Sequence, residues 1–381
     1  MTGVLPDQAD PVLARSRARL RALALYLPQY HPIPENDEWW GKGFTEWTNV
    51  ARARPLFKGH HQPHLPADLG YYDLRLPEVR EAQASLARNA GIHGFCYYHY
   101  WFSGRRVLER PFNEVLHSGE PDFPFCLCWA NENWTRRWDG RDHEVLLAQH
   151  YSPADDLAHI RALLPAFADP RYIRIDGRPV FLVYRTGLLP DPARTAERWR
   201  EEALRSGIGD LYLIRVENFT VDPVPSSIGF DAAMSFAPDW RSTVPARRPS
   251  ALVRALRRLQ LVDPVLERQL VRNYADLAAS FLAQPSASYV RYQSVTPMWD
   301  NSARRRESGA AIFDGSTPAL YERWLQEAAV RFQPPSRDEN LIFINAWNEW
   351  AEGNHLEPCQ RWGMAYLDAT REALARAAVT V

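Results

Sequence analysis

Leu341-Ile342-Phe343-Ile344-Asn345-Ala346-Trp347, running on into Asn348-Glu349-Trp350-Ala351-Glu352-Gly353-Asn354-His355-Leu356-Glu357, decides how this chain is to be read. Four consecutive apolar residues of strand-forming type predict a strand buried on both faces, and such strands belong to parallel sheets covered by helices. Seven further runs of the same character precede it: Ala22 to Tyr30, His93 to Trp101, Phe123 to Ala130, Pro179 to Tyr184, Leu211 to Val216, Asp231 to Phe236 and Tyr289 to Met298. Helical patterns lie between most of them. Leu76 to Asn89 is ended by Gly91, and Ser152 to Phe167 opens with a Ser-Pro cap. Ser316 to Phe332 carries Leu320, Trp324, Leu325, Ala328 and Phe332 on one face, and Trp362 to Ala377 follows the last strand. Eight strands alternating with helices predict an α/β chain of the (β/α)8 TIM-barrel class, as a single domain over residues 21–381.

Two regions fit the repeat poorly. Glu217 to Ile228 holds little helix, and 241–283 is too long for one connection, so it is expected to be a helical insertion after strand six. Residues 1–20 are expected to form a flexible arm. A rival architecture of two Rossmann halves would want a Gly-x-Gly-x-x-Gly turn, which is absent, and no Asp-x-Asp triplet supports a metal-dependent single-domain transferase.

Composition narrows the partners. The 381 residues carry 45 basic and 46 acidic side chains, a formal charge of −1, so no global field draws the chain to nucleic acid. Arg15, Arg17, Arg19 and Arg21 precede a short apolar run with no small-residue cleavage site, which reads as a first strand and not as a signal peptide. With no apolar stretch of membrane-spanning length, a cytoplasmic location is expected. Cys96, Cys126, Cys128 and Cys359 sit mostly in apolar runs and are expected to be reduced structural thiols. Within the insertion, Arg241, Arg247, Arg248, Arg254, Arg257, Arg258, Arg268 and Arg272 outnumber Asp263 and Glu267. They read either as a solvated face or as a surface for peripheral association with an anionic membrane or a lipid-linked glycan.

In a barrel of this class the chemistry lies at the C-terminal ends of the strands. The chain carries 14 Trp, 16 Tyr and 16 Phe, and those ends interleave amides and carboxylates with aromatic rings, the mixture a polyhydroxylated ligand needs for its hydroxyls and its C–H faces. The candidate sugar contacts are Tyr30 and His31 after strand one, Glu46 and Trp47 in the first loop, and Tyr98, His99 and Trp101 on strand two. After strand three come Trp129, Asn131, Glu132 and Trp134; Glu217 ends strand five; Trp299 and Asp300 follow strand seven. Asn345, Trp347, Asn348, Trp350 and Glu357 surround the last strand.

Breaking a glycosidic bond takes two carboxyl groups, and Glu349 and Glu352 are the catalytic candidates. A spacing of three would put them on opposite faces of an ideal strand, so the chain must turn after Glu349, and Gly353 is placed to permit it. Glu132, Glu217 and Glu46 are reserves. His60-His61-Gln62-Pro63-His64 has the density of a metal site without a matching carboxylate or cysteine framework, so a sugar-contacting or loop-fixing role is expected, with no metal and no cofactor.

The segments Ala24-Leu25-Tyr26-Leu27-Pro28-Gln29-Tyr30-His31, Gly43-Phe44-Thr45-Glu46-Trp47-Thr48-Asn49-Val50, Trp129-Ala130-Asn131-Glu132-Asn133-Trp134 and Asn345 to Gly353 resemble the WbsX-type proteins. These are assigned to bacterial surface polysaccharide clusters such as those for O-antigen or capsule, are often called glycosyltransferases, and are related to glycoside hydrolase family 99. The resemblance covers about residues 22–375. It implies a (β/α)8 barrel like that of endo-α-mannosidases that act with retention and without metal, with Glu349 and Glu352 at the positions of the two essential carboxylates. It further implies that the first helps deprotonate the sugar's own 2-hydroxyl, which attacks the anomeric carbon, while the second is general acid and then base. Glu357 in Leu356-Glu357-Pro358 matches the same motif. Ala351 stands where the hydrolases carry a histidine, a departure that bears on the substrate more than on the reaction type. The expected activity is cleavage or transfer at a glycosidic bond of a surface glycan or its precursor. The alternatives are a non-catalytic glycan-binding barrel and a nucleotide-sugar-dependent glycosyltransferase.

Overall fold

The computed structural model describes residues 20–136, 141–219, 223–240, 244–246, 269–305 and 309–379. The barrel strands are β1 (Arg21–Tyr26), β2 (Gly94–Phe102), β3 (Phe125–Trp129), β4 (Arg178–Val183), β5 (Tyr212–Glu217), β6 (Ala232–Ser235), β7 (Arg291–Tyr292 and Ser294–Val295, interrupted at Gln293) and β8 (Leu341–Ile344). Each of the eight expected runs overlaps one, with bounds that differ by a residue or more. They pair in parallel and in order: Leu23 lies opposite Gly94 on one side of β1 and opposite Phe343 on the other. The two halves of β7 close the ring, since Tyr292 pairs with Met234 of β6 and Val295 with Ile344 of β8. This is a (β/α)8 barrel with nine parallel strand segments in eight positions.

Helices α1 (Pro34–Trp40) and α2 (Glu46–Arg52) occupy the first loop. The outer layer comprises α3 (Pro77–Asn89), α4 (Arg110–Ser118), α5 (Pro153–Ala168), α6 (Pro192–Arg205), α7 (Tyr274–Leu282), α8 (Pro318–Arg331) and α9 (Ala365–Val379). Their starts follow the sequence chemistry: Ser152, Asp191 and Thr317 cap α5, α6 and α8 by accepting backbone N–H bonds from Asp155, Arg194 and Leu320, and each cap is followed by a proline at the first helical position. Tyr274, Leu277 and Phe281 bury the inner face of α7, with Phe281 against Trp324 of α8. All four cysteines are buried free thiols.

Of the expected insertion, 241–243 and 247–268 lie outside the described residues, as do residues 1–19, and with them all the insertion arginines named above except Arg272. Within 269–283 the expectation of helix holds only for α7. Leu270–Asn273 is a strand, because it finds a parallel partner in Ala311–Asp314, which also pairs antiparallel with Trp299–Asp300. Arg272 is turned inward, donating to the Val244 carbonyl at 3.0 Å with its guanidinium over the Phe313 ring. The poorly helical stretch after β5 contains only the short 3-10 turn Pro225–Ile228 among its described residues. No helix among them is long and apolar enough to cross a membrane.

Candidate active site

The C-terminal end of β8 is built as a hairpin. Asn348–Glu349 pairs antiparallel with Asn354–His355 across the 3-10 turn Trp350–Glu352, and Gly353 closes it with φ +53°. Both glutamates therefore leave the strand on the same side, as the turn inferred from their spacing requires. Three anchors fix the hairpin. The Asn348 side chain bridges the backbone of Leu27 at the end of β1, accepting at 2.7 Å and donating at 3.0 Å. The Tyr30 hydroxyl donates to the Asn348 carbonyl and accepts from the Trp350 N–H. Glu357, fully buried, accepts from Trp350 Nε1 at 2.6 Å, Gln83 Nε2 at 2.6 Å and the Tyr72 hydroxyl at 2.8 Å.

Arg304 joins the carboxylates. Its Nη1 lies 2.7 Å from Glu352 Oε1, its Nη2 donates to Glu349 Oε2 at 3.0 Å, and its Nε donates to Glu46 Oε2 at 3.2 Å. Three carboxyl groups share one cation in a site where Glu46 is fully buried and Glu349 nearly so. Burial is the largest influence on Glu349 and pushes its pKa up to about 8; Glu352 and Glu46 push the same way, and Arg304 opposes them. Burial likewise raises Glu46. A group of this kind exchanges a proton near neutral pH, as acid–base catalysis asks.

Above the carboxylates lies a cavity of about 490 Å³. Of the expected residues, Tyr98, Glu132, Trp134, Trp299, Asn345, Glu349 and Glu352 line it, together with Trp39 and Trp40 of α1 and Trp240 beyond β6. Glu132 is ion-paired with Arg185 at the cavity wall. The cavity also takes Tyr100, Tyr184, Phe219, Phe236, Asn36 and Arg304, which sequence reasoning missed. Tyr184 directly follows β4 and could have been found by position alone, whereas Arg304 lies in an irregular turn with no pattern to mark it.

The other expected sugar contacts serve the frame. On β2, successive side chains alternate, so Tyr98 and Tyr100 face the cavity while His99 and Trp101 face the helix layer. There His99 Nε2 lies 3.0 Å from His159 Nε2, and Trp101 Nε1 donates to Asp155. Trp129 packs outward on Trp199, and Asn131 ties down the Arg185 backbone, donating to its carbonyl and accepting its N–H. Glu217 is buried against Arg215 and the Tyr289 hydroxyl. His31 faces the Pro28 carbonyl through Nδ1, and burial lowers its pKa to about 4. Trp47 donates to the Tyr72 carbonyl and packs on Trp350. Trp350 in turn stacks on His355 at 3.7 Å, and Trp347 is wholly buried beneath the hairpin against Phe95. Tyr30, Asn348 and Glu357 are the anchors already described, and Glu46 lies under the guanidinium.

Asp300 accepts from Gln62 at 2.7 Å and meets His60 Nε2 at 2.6 Å, so His60 has the loop-fixing role expected of its cluster. Among the described residues no group of three or more His, Cys, Asp or Glu side chains is arranged to hold a metal ion.

A closed parallel barrel with a carboxylate cluster under an aromatic-walled cavity at its strand ends defines the class, a (β/α)8 barrel whose polar cluster lies where barrels of this fold carry their sites. The chain belongs to the WbsX glycosyltransferase family, whose model matches residues 22–370. It is 48% identical over 356 residues to the uncharacterized protein WxcX of two strains of Xanthomonas campestris pv. campestris; the match covers 93% of this chain and 50% of each relative, so the chain spans about half their length. Among solved structures it is similar to the family 99 endo-α-mannosidase of Bacteroides thetaiotaomicron, at a TM-score of 0.55 and 14% identity over 94% of this chain and 97% of that one. A glycoside hydrolase-like protein matches at the same TM-score and identity over 98% and 97%. At such identity these two likenesses speak for the fold alone.

Proposed function

We propose that this chain acts on a glycosidic bond of a bacterial surface polysaccharide or its precursor, with Glu349 and Glu352 as the reacting carboxyl groups. The observation that carries the reading is the clasp: one guanidinium holds both glutamates side by side at the floor of a cavity walled by indoles. The family description and the sequence motifs support it, on a barrel fold shared with an endo-α-mannosidase.

In the first step Glu349 accepts the proton of the sugar's 2-hydroxyl as that oxygen bonds to the anomeric carbon. The bond to the leaving oxygen breaks, and Glu352 protonates that oxygen. In the second step Glu352 takes a proton from an incoming hydroxyl, which attacks the anomeric carbon, and the released 2-oxygen recovers its proton from Glu349. Water as the incoming group gives hydrolysis; a sugar hydroxyl gives transfer. To begin, Glu349 must be ionised while Glu352 still carries the proton it donates, so activity is expected to pass through a maximum with pH instead of rising steadily.

The test is incubation with a panel of surface polysaccharides and mannose-containing oligosaccharides, read by mass spectrometry for new reducing ends or altered chain length. Either change supports the reading. A glycan that binds measurably and stays intact would favour a binding barrel instead.

A further inference from the structure

Arg304 is held in place by something that touches neither glutamate. It closes the turn that begins at Asp300, and the 3-10 helix Asn301–Ala303 is capped by Asp300, whose Oδ1 accepts the Ser302 N–H at 2.9 Å. The second carboxylate oxygen of Asp300 meets His60 Nε2 at 2.6 Å and accepts from Gln62 Nε2 at 2.7 Å. His60 Nδ1 accepts the Leu56 N–H at 2.9 Å, so the ring's proton is on Nε2 and points at Asp300. Asn301 Oδ1 accepts the Ala311 N–H at 2.8 Å, which ties the turn to the small sheet. Gly353, at the close of the glutamate hairpin, lies so near that a Cβ there would come within 2.9 Å of Asp300 Cβ. Asp300 and His60 are both buried and lie beneath the cavity instead of lining it.

We propose that His60 and Asp300 are positioning residues that act through Arg304: their buried hydrogen bond fixes the turn 300–304, and the turn sets the guanidinium across Glu349 and Glu352. The importance for catalysis rests on the reading of those two glutamates as the reacting pair; the positioning itself does not. The groups that face the clasp are Glu46 from α2, Glu349 and Glu352 from the hairpin, and the hydroxyls of Tyr30, Tyr98 and Tyr100, which add no positive charge. Arg304 is the cation that holds Glu349 down against burial. If the turn loosens, that restraint weakens and Glu349 binds its proton more tightly.

The experiment is a carboxyl-carbon NMR titration of Glu349 in protein carrying 13C-labelled glutamate, with Glu349→Gln assigning the signal and thermal unfolding checking the fold. Arg304→Gln is expected to raise the midpoint from near 8 by about one unit or more. Asp300→Asn, which puts an amide donor against the donors of His60 and Gln62, and the milder His60→Ala are expected to raise it in the same direction. His60→Gln, which restores a donor toward Asp300, should bring it back. With a glycan that is turned over, kcat should fall tenfold to about a hundredfold in His60→Ala while KM changes little. Folded His60→Ala and Asp300→Asn proteins with the wild-type midpoint would overturn the proposal. Shifted midpoints without turnover of any glycan, by wild type or variant, would leave the positioning standing and refute the proposed function.

Discussion

Gly353→Ala is expected to cost more stability than an alanine at a matched glycine, and the structure gives the difference. Gly353 has φ +53° and Gly363 has φ +50°, so a side chain meets the same left-handed backbone at both. That conformation costs an L-residue roughly 1–2 kcal/mol. At Gly363 a Cβ meets nothing within 4 Å; at Gly353 it would lie 2.9 Å from Asp300 Cβ, 3.0 Å from Asp300 O and 3.2 Å from Asp300 N. Backbone cannot swing aside as a flexible side chain can, so overpacking adds about 1–3 kcal/mol. Gly363→Ala should therefore lose about 1–2 kcal/mol and Gly353→Ala about 2–5 kcal/mol in urea unfolding at fixed pH. Activity should follow the same order, because the clash parts the hairpin that carries Glu349 and Glu352 from the turn that carries Arg304. Equal losses in the two variants would refute the close approach of hairpin and turn.

Glu357 makes stability depend on pH. Burial pushes its pKa up to about 7 from 4.5, so between those values the folded protein keeps a proton that the unfolded chain releases. That stabilisation is complete below about pH 4.5 and is lost as pH rises to about 7, a change of up to about 3 kcal/mol. Urea unfolding across this window should show a shallower fall for Glu357→Gln than for wild type, and parallel slopes would contradict the assignment. Trp240, which lines the cavity edge-on to Trp299 with ring centroids 5.3 Å apart, is expected to serve as a sugar platform. Trp240→Ala should raise KM roughly three- to tenfold with a smaller change in kcat; an unchanged KM would remove it from the binding surface.

The barrel was legible because its strands are continuous apolar runs with few alternatives, and each of the eight overlaps an observed strand. The site was legible at the level of strand ends and less so within them. A period of two gives the faces of a strand but not which face is inward, and on β2 that single choice separates Tyr98 and Tyr100 from His99 and Trp101. Trp129 was misread for the same reason, since its outward ring meets Trp199 while Ala130 lines the cavity. Asn348, Trp350 and Glu357 stood in the right motif but hold the hairpin in place. Arg304 could not be read at all: its role comes from a turn whose shape depends on His60, some 240 residues earlier in the chain. The strand at Leu270–Asn273 was hidden too, because its partner Ala311–Asp314 comes about 40 residues later.

The most direct test of the account is the pair of rate ratios for Glu349→Gln and Glu352→Gln on two versions of one glycoside, with an ordinary and with an activated leaving group. Circular dichroism establishes that both variants are folded. An activated leaving group needs little protonation, so Glu352→Gln should keep much more of its bond-cleavage rate on the activated substrate than on the ordinary one. Glu349→Gln, which removes the help given to the nucleophile, should lose activity on both. Near-wild-type rates on the ordinary substrate in both folded variants would contradict the account and move the search for the reacting carboxylates to Glu132 at the cavity wall.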